Sequence, residues 1–259
     1  MYHYILKINS RDSNYKVTTN PIQISFNNTG NSSLIQRITV KGASIPHVFY
    51  NINSFNNKLQ FETYNGNYDG TYNVVFPVGH YTINSLINYF NATPESIASH
   101  VTFSFDSFIN KILVTLDAIG YVTFQHAEST CFHILGLRAE SDFTISEVPT
   151  HFLYMSDLSG IRNIYAETSF SNMNCLDANG YKSYGAFIPV DKPFGSIIHY
   201  INQEQDLNDI IRSKTYSQNL NKIEIALRDV EGNLLDLQNM NWEITFKIVL
   251  AHEHDLVDN

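Results

Sequence analysis

Cysteine is nearly missing from this chain. Cys131 and Cys175 are the only two in 259 residues, too few for a disulfide framework and without the paired spacing of a zinc site. Both read as buried free thiols, as expected of a protein folded in a reducing cytoplasm. Charge is also scarce, at 16% of residues, which leaves little room for long solvated helices. The charge that is present has the wrong sign for nucleic acid. The formal net charge is −9 and the basic residues are dispersed, whereas phosphate neutralisation needs clustered Lys and Arg. No direct nucleic-acid binding is expected. No apolar run approaches the roughly 20 residues of a membrane-spanning helix. Met1-Tyr2-His3-Tyr4 lacks the basic-then-apolar pattern of a signal peptide. There is no Gly-x-Ser-x-Gly elbow and no phosphate loop, and Gly66, Gly70 and Gly79 lack dinucleotide-motif spacing. No repeat occurs at solenoid or propeller periods.

What the chain has is aromatics, 16 Tyr and 17 Phe against one Trp, among β-branched residues and Asn, Asp and Gly turns. That mixture suits sheet. The strongest pattern covers 222–251. Ile223, Ile225 and Leu227 alternate with polar or small residues; Trp242, Ile244, Phe246, Ile248 and Leu250 then share one parity. Successive strand side chains point to opposite faces, so each stretch buries one face and wets the other. The connection 229–241 is longer than a tight turn. The two strands therefore need not pair with each other, and in a jelly roll they are expected to lie in opposite sheets and face each other across the core.

Earlier strands are expected at Tyr2, Tyr4, Leu6 and Ile8, at Ile22, Ile24 and Phe26, and at Ile38 and Val40 running to Ile45-Pro46. Pro46 ends the third of these or puts it at an edge. Leu59 with Phe61, and Tyr72, Val74, Phe76 and Val78, suggest two more. A helix follows, capped by Thr82, with Ile83, Leu86, Ile87 and Phe90 on one face and a stop before Pro94. Phe103 and Val114 centre a hairpin, and 121–125 is a short strand. A second short helix with Ser129 as its cap ends at Gly136. The signal weakens beyond 141: 172–184 reads as a loop and 203–215 as a polar connector with helical character. The expected fold is mainly β: a single jelly-roll sandwich over 1–56 and 143–259, with an inserted α+β subdomain over 57–142.

Candidate chemistry is thin. His252 and His254 have the spacing of two ligands on one strand face, but the further His and Glu that such sites need do not follow them. His80, His126, His133 and His199 each adjoin apolar residues and read as packed or surface groups. Cys131 lies two residues from His133 at a helix start, where a thiol could be activated; core packing is the simpler reading. Asp106, Asp117, Asp142 and Asp157 sit at strand ends or in loops, and nothing selects a pair. Tyr64, Tyr68 and Tyr72 could form a sugar- or partner-binding surface, or half-buried sheet positions. The sequons at Asn27, Asn31 and Asn91 read as chance in an Asn-rich chain. No catalytic, cofactor-binding or metal residue is nominated, and no cofactor is expected.

Several stretches carry a resemblance. Ile8-Asn9-Ser10-Arg11-Asp12-Ser13, Ala43-Ser44-Ile45-Pro46 and Phe49-Tyr50-Asn51-Ile52 are among them, as are Gly79-His80-Tyr81-Thr82 and Ile134-Leu135-Gly136-Leu137. Ile223 to Asp229 and Trp242-Glu243-Ile244-Thr245-Phe246 complete the set. Together they resemble the minor capsid (penton) proteins of virophages, polinton-like elements and some large DNA viruses. The resemblance implies one jelly roll, sometimes carrying an insertion, and no enzymatic activity. It implies a homo-pentamer closing each five-fold vertex of a virion made in a host cytoplasm, beside a major capsid protein with two jelly rolls. Length agrees, since two jelly rolls of usual size need a longer chain. The alternatives are a jelly-roll lectin or receptor-binding spike, and a metal-dependent enzyme using His252 and His254.

Overall fold

The computed structural model describes residues 2–14, 19–25, 34–64, 66, 68–116, 120–137, 140–146, 149–168, 174–177, 180–183, 186–202, 210–211 and 222–251. The chain divides into two compact units: a split unit, Met1–Phe49 with Ile161–Asn259, and a central unit, Tyr50–Gly160. The first strands are β1 (Tyr2–Asn9), β2 (Ile22–Ser25) and β3 (Leu34–Pro46). The central unit contributes β4 (Lys58–Tyr64), β5 (Gly70–Val75), α1 (Ile83–Asn91), α2 (Pro94–Ser99), β6 (Val101–Asp106), β7 (Lys111–Leu116), β8 (Tyr121–Phe124), α3 (Phe132–Leu135), β9 (Phe143–Ile145) and β10 (Thr150–His151). The split unit resumes with β11 (Asn163–Thr168), β12 (Asn174–Asp177), β13 (Gly180–Ser183), β14 (Ala186–Pro189), β15 (Ile197–Ile201), β16 (Ile210–Ile211), β17 (Lys222–Arg228) and β18 (Glu243–Ala251).

In the split unit one sheet runs β1-β18-β3-β15, with β16 also on β3, and the other runs β14-β11-β17-β2. The first strand pairs with the last, and the second with the next long one in from the end. β17 and β18 fall in different sheets, which their long connection allows. This nesting of antiparallel pairs from the chain's ends inward is a jelly roll. Ile223, Ile225 and Leu227 from one sheet and Ile244, Phe246 and Ile248 from the other belong to one buried cluster. Trp242, 1% exposed, anchors it. Its indole N–H donates to the Thr19 carbonyl at 2.6 Å, and its backbone N–H donates to the Ser10 hydroxyl at 3.0 Å. Asn20 is buried, and its amide donates to the Leu227 and Leu235 carbonyls while its oxygen accepts from the Leu227 N–H.

β3 follows no single parity. Its register with β18 slips between Thr245 and Phe246, leaving Lys41 without an opposite residue, and slips again between Val249 and Leu250. The first bulge moves the buried set from Val40 to Ala43 and Ile45. Pro46 ends the strand opposite Ile197. Bonds from His47 N–H to the Ser196 carbonyl and from Asn202 N–H to the Lys41 carbonyl flank the ladder. The alternation between them puts Pro46 at a position that donates nothing to β15, so its missing N–H costs no bond.

The central unit has a β5-β4-β8-β9 sheet and a β10-β7-β6 sheet, with its own buried cluster. α1 forms where expected: Thr82 and Ser85 make a reciprocal capping box, and Leu86, Ile87 and Phe90 are buried. Phe90 stacks on Phe103 at 3.7 Å. The Asn91 side chain exchanges two 2.8 Å hydrogen bonds with the Phe103 backbone. Its amide nitrogen is thus committed to structure rather than offered for glycosylation; Asn27 and Asn31 lie outside the described residues. Asn51 acts similarly, bonding the Tyr81 backbone on both sides and donating to the Leu158 carbonyl at 2.9 Å.

Several expectations need correction. Residues 172–184 are not simply a loop, because β12 and β13 pair there. Within 203–215, the residues described, Ile210 and Ile211, form a strand on β3 rather than helix. Pro94 does not merely stop α1; it sits in the first turn of α2, behind the Thr93 cap, where its missing N–H is harmless. The strand through Tyr72 ends at Val75, and Val78 is exposed. Ser129 does not cap α3. Its hydroxyl accepts from the Gln60 N–H at 2.8 Å, and Cys131 takes the cap position without a side-chain bond.

Candidate interaction surfaces

The described residues considered for chemistry do not converge on one site. Cys131 is 1% exposed, and burial pushes its thiol far above the ordinary range. That is the reverse of activation, since the thiolate is the reactive form. His133 is exposed on α3. His126 packs edge-on against Phe132, and its backbone N–H is capped by Asp142 at 2.7 Å. His199 shares a 3.2 Å hydrogen bond with the Ser44 hydroxyl, and His80 is exposed. Asp157 closes a local turn with Ser159. Asp106 meets His151 Nε2 at 3.1 Å. The Phe108 backbone N–H is the main cause of its lowered carboxyl pKa, with His151 adding to it. Asp117, His252 and His254 lie outside the described residues, as does the Cys175 side chain. Among the described residues no cluster of three His, Cys, Asp or Glu could hold a metal ion.

The three tyrosines do not make one platform. Tyr72 is half-buried and stacks on Phe61 at 5.4 Å, as a core-edge residue would. Tyr68 packs on His100 at 3.9 Å. Tyr64 is exposed and stacks on exposed Tyr121 at 4.7 Å. Its hydroxyl donates to Glu62 at 2.8 Å, and that carboxylate raises the phenol above its usual range.

A larger apolar surface of the central unit went unsingled in the sequence. Phe108 is 95% exposed at the tip of the β6–β7 hairpin, beside Ile109. Leu153, Tyr154 and Met155 are also exposed. Lys111 ties Leu153 to the hairpin by donating to its carbonyl at 2.8 Å. A cleft of about 410 Å³ is lined by Phe105, Asn110, Met155 and Leu158 with Ile83 and Ser156. The 153–155 segment is held against the end of α3. Tyr154 N–H donates to the Gly136 carbonyl at 3.0 Å, and a Cβ on Gly136 would lie 2.2 Å from the Tyr154 carbonyl oxygen. The available signal was two apolar residues in a turn that otherwise reads Asp-Ser-Asn-Lys.

The split unit offers strand edges instead. β2 is covered on its outer side, where Asn14 N–H and the Ser13 hydroxyl bond Gln23. β14 ends in Pro189, which has no N–H to offer. The two ends of the other sheet, β1 and β15, each pair on one side only among the described residues. Ser10 N–H bonds the Trp242 carbonyl, so the antiparallel alternation turns the backbone groups of Ile5, Lys7 and Asn9 outward. The same alternation on β15 turns out those of Ile197, His199 and Ile201. On β1, Glu243 accepts from Lys7 at 2.7 Å and from Asn9 at 2.9 Å, and these bonds lower its carboxyl pKa.

No protein-family model matches the sequence. The structure is similar to the crystal structure of the mavirus penton protein, with a TM-score of 0.56 over 96% of this chain and 100% of that one. Sequence identity is 10%, so the likeness is one of fold. It extends through both units.

Proposed function

We propose that this chain is a structural virion protein, a penton closing the five-fold vertices of an icosahedral capsid, and not an enzyme. The observation that carries the reading is the end-to-end fold likeness to the mavirus penton protein. A jelly roll interrupted by a second compact unit is what the sequence resemblance implied, and the split and central units are proposed to be those two domains. The scattered placement of Cys131, His133 and the aspartates is consistent with a non-catalytic role. The proposed partners are four further copies of this chain and a major capsid protein with two jelly rolls. Electron microscopy of the assembled particle tests the reading: vertex density should accept this chain five times, and density that rejects it would sink the idea.

The exposed Tyr64–Tyr121 stack favours a second reading, a receptor- or glycan-binding role for the central unit, compatible with the first. Aromatic faces and neighbouring polar groups suit sugar rings. Selective binding on a glycan array, lost in Tyr64→Ala, is the expected outcome; a featureless array removes this reading.

A further inference from the structure

We infer that the open edges of the β1-β18-β3-β15 sheet join between copies: β15 of one chain adds onto β1 of the next, antiparallel, so that the sheet continues from copy to copy. The inference rests on the ring reading above and names the contact that would build it.

Strand direction carries the first part. Each neighbouring pair in this sheet is antiparallel, so across four strands β1 and β15 run in opposite directions. A second copy in the same orientation therefore presents its β1 antiparallel to the first copy's β15. Joining two different edges is a heterologous contact, the kind whose rotation can close a ring. Unpaired edges are templates for such strand addition, and proteins that must avoid it place charge, proline or a covering segment there. β2 and β14 carry such protection; β15, with the sequence Ile-Ile-His-Tyr-Ile, has no Asp, Glu, Lys, Arg or Pro.

Charge and apolar surface agree. Lys7 on the β1 edge is neutralised by Glu243, so the two edges bring no like charges together. The residues that turn their backbone outward also carry exposed apolar side chains: Ile5 at 66%, Ile197 at 53% and Ile201 at 76%. Five residues of β15 bury less than the roughly 1,000 Å² that a lasting interface needs. The edge pairing therefore sets direction and register within a broader contact.

The test uses two full-length variants, Ile5→Lys and Ile201→Lys, with native mass spectrometry. Both positions are exposed, and unchanged circular dichroism checks the fold. Wild type should give an oligomer larger than a dimer, and each variant alone should associate about tenfold more weakly or worse. An equimolar mixture should give one-to-one heterodimers, joining the intact β15 of the Ile5→Lys chain to the intact β1 of the Ile201→Lys chain. An Ile5→Lys chain that dimerises by itself indicates two-fold β15-to-β15 pairing and overturns the inference. A wild-type ring unaffected by both substitutions also overturns it, while leaving the ring reading intact. Wild type that stays monomeric at its highest soluble concentration overturns the inference and leaves the ring reading to the vertex density of the particle.

Discussion

The two units reach a buried core by different routes. The split unit packs Ile, Val, Leu and Ala around Phe49, Trp242 and Phe246. Its defining pairs join distant parts of the chain, as in Ser10 with Asn241 or Asn20 with Leu227. The central unit packs phenylalanines, with Phe61, Phe76, Phe90, Phe103, Phe124 and Phe152 all buried, and its hairpins β4–β5 and β6–β7 close locally. Aromatic edge and face contacts such as Phe103–Phe152 and Phe124–Phe152 add geometric preference to buried area. Non-local pairing demands more loop closure before any contact forms, so the split unit should fold the more slowly.

Truncating each core is the strongest way to break this contrast. Phe103→Ala and Phe246→Ala should each cost about 3–5 kcal/mol. In calorimetry Phe103→Ala should lower one transition and Phe246→Ala the other. A single transition lowered equally by both would mean that the units do not unfold separately. A smaller effect is expected from the buried amides. Asn20→Ala strands backbone groups of Leu227 and Leu235, and Asn51→Ala strands those of Tyr81 and Leu158; each should cost about 1–3 kcal/mol in denaturant titration. Losses well below that range would mean that water replaces the amide.

The smallest effect is acid sensitivity. Glu243 in the split unit and Asp106 in the central unit both have lowered carboxyl pKa values. A carboxylate held lower in the folded state adds stability above its unfolded pKa, and that increment is lost as pH falls through the folded value. Glu243→Gln and Asp106→Asn should therefore each reduce the loss of melting temperature on acidification, in their own unit's transition. Both groups are solvent-screened, so the changes should be slight. A steeper acid dependence in either variant would contradict the assignment.

The strands of the split unit that alternate cleanly were legible: Ile22, Ile223, Ile225 and the Trp242–Ile248 set face the core as their parity demands. So was α1, because Thr82 and the 83, 86, 87, 90 spacing announce cap and face together. β3 was harder, since a bulge at Lys41 changes parity within one strand. β12 and β13 read Asn-Cys-Leu-Asp and Gly-Tyr-Lys-Ser, with no apolar alternation to reveal them. Pro94 was misleading because the same residue that ends one helix can begin another, and only the Thr93 cap separates the two cases. The frequent asparagines were read as turn chemistry. Asn20, Asn51 and Asn91 serve instead as side chains that complete the backbone hydrogen bonding of segments distant in sequence. The strand edges could not be read at all, because which strand is last in a sheet depends on pairings that no local pattern records.

Asn51 has one more consequence. Its 2.9 Å bond to the Leu158 carbonyl means that the two ends of the 50–160 segment meet. A stretch whose ends meet behaves as a cassette: it can lengthen, shrink or be exchanged for a foreign domain without altering the span that its host must bridge. The sequence of such a segment can therefore diversify while the strands that receive it stay the same.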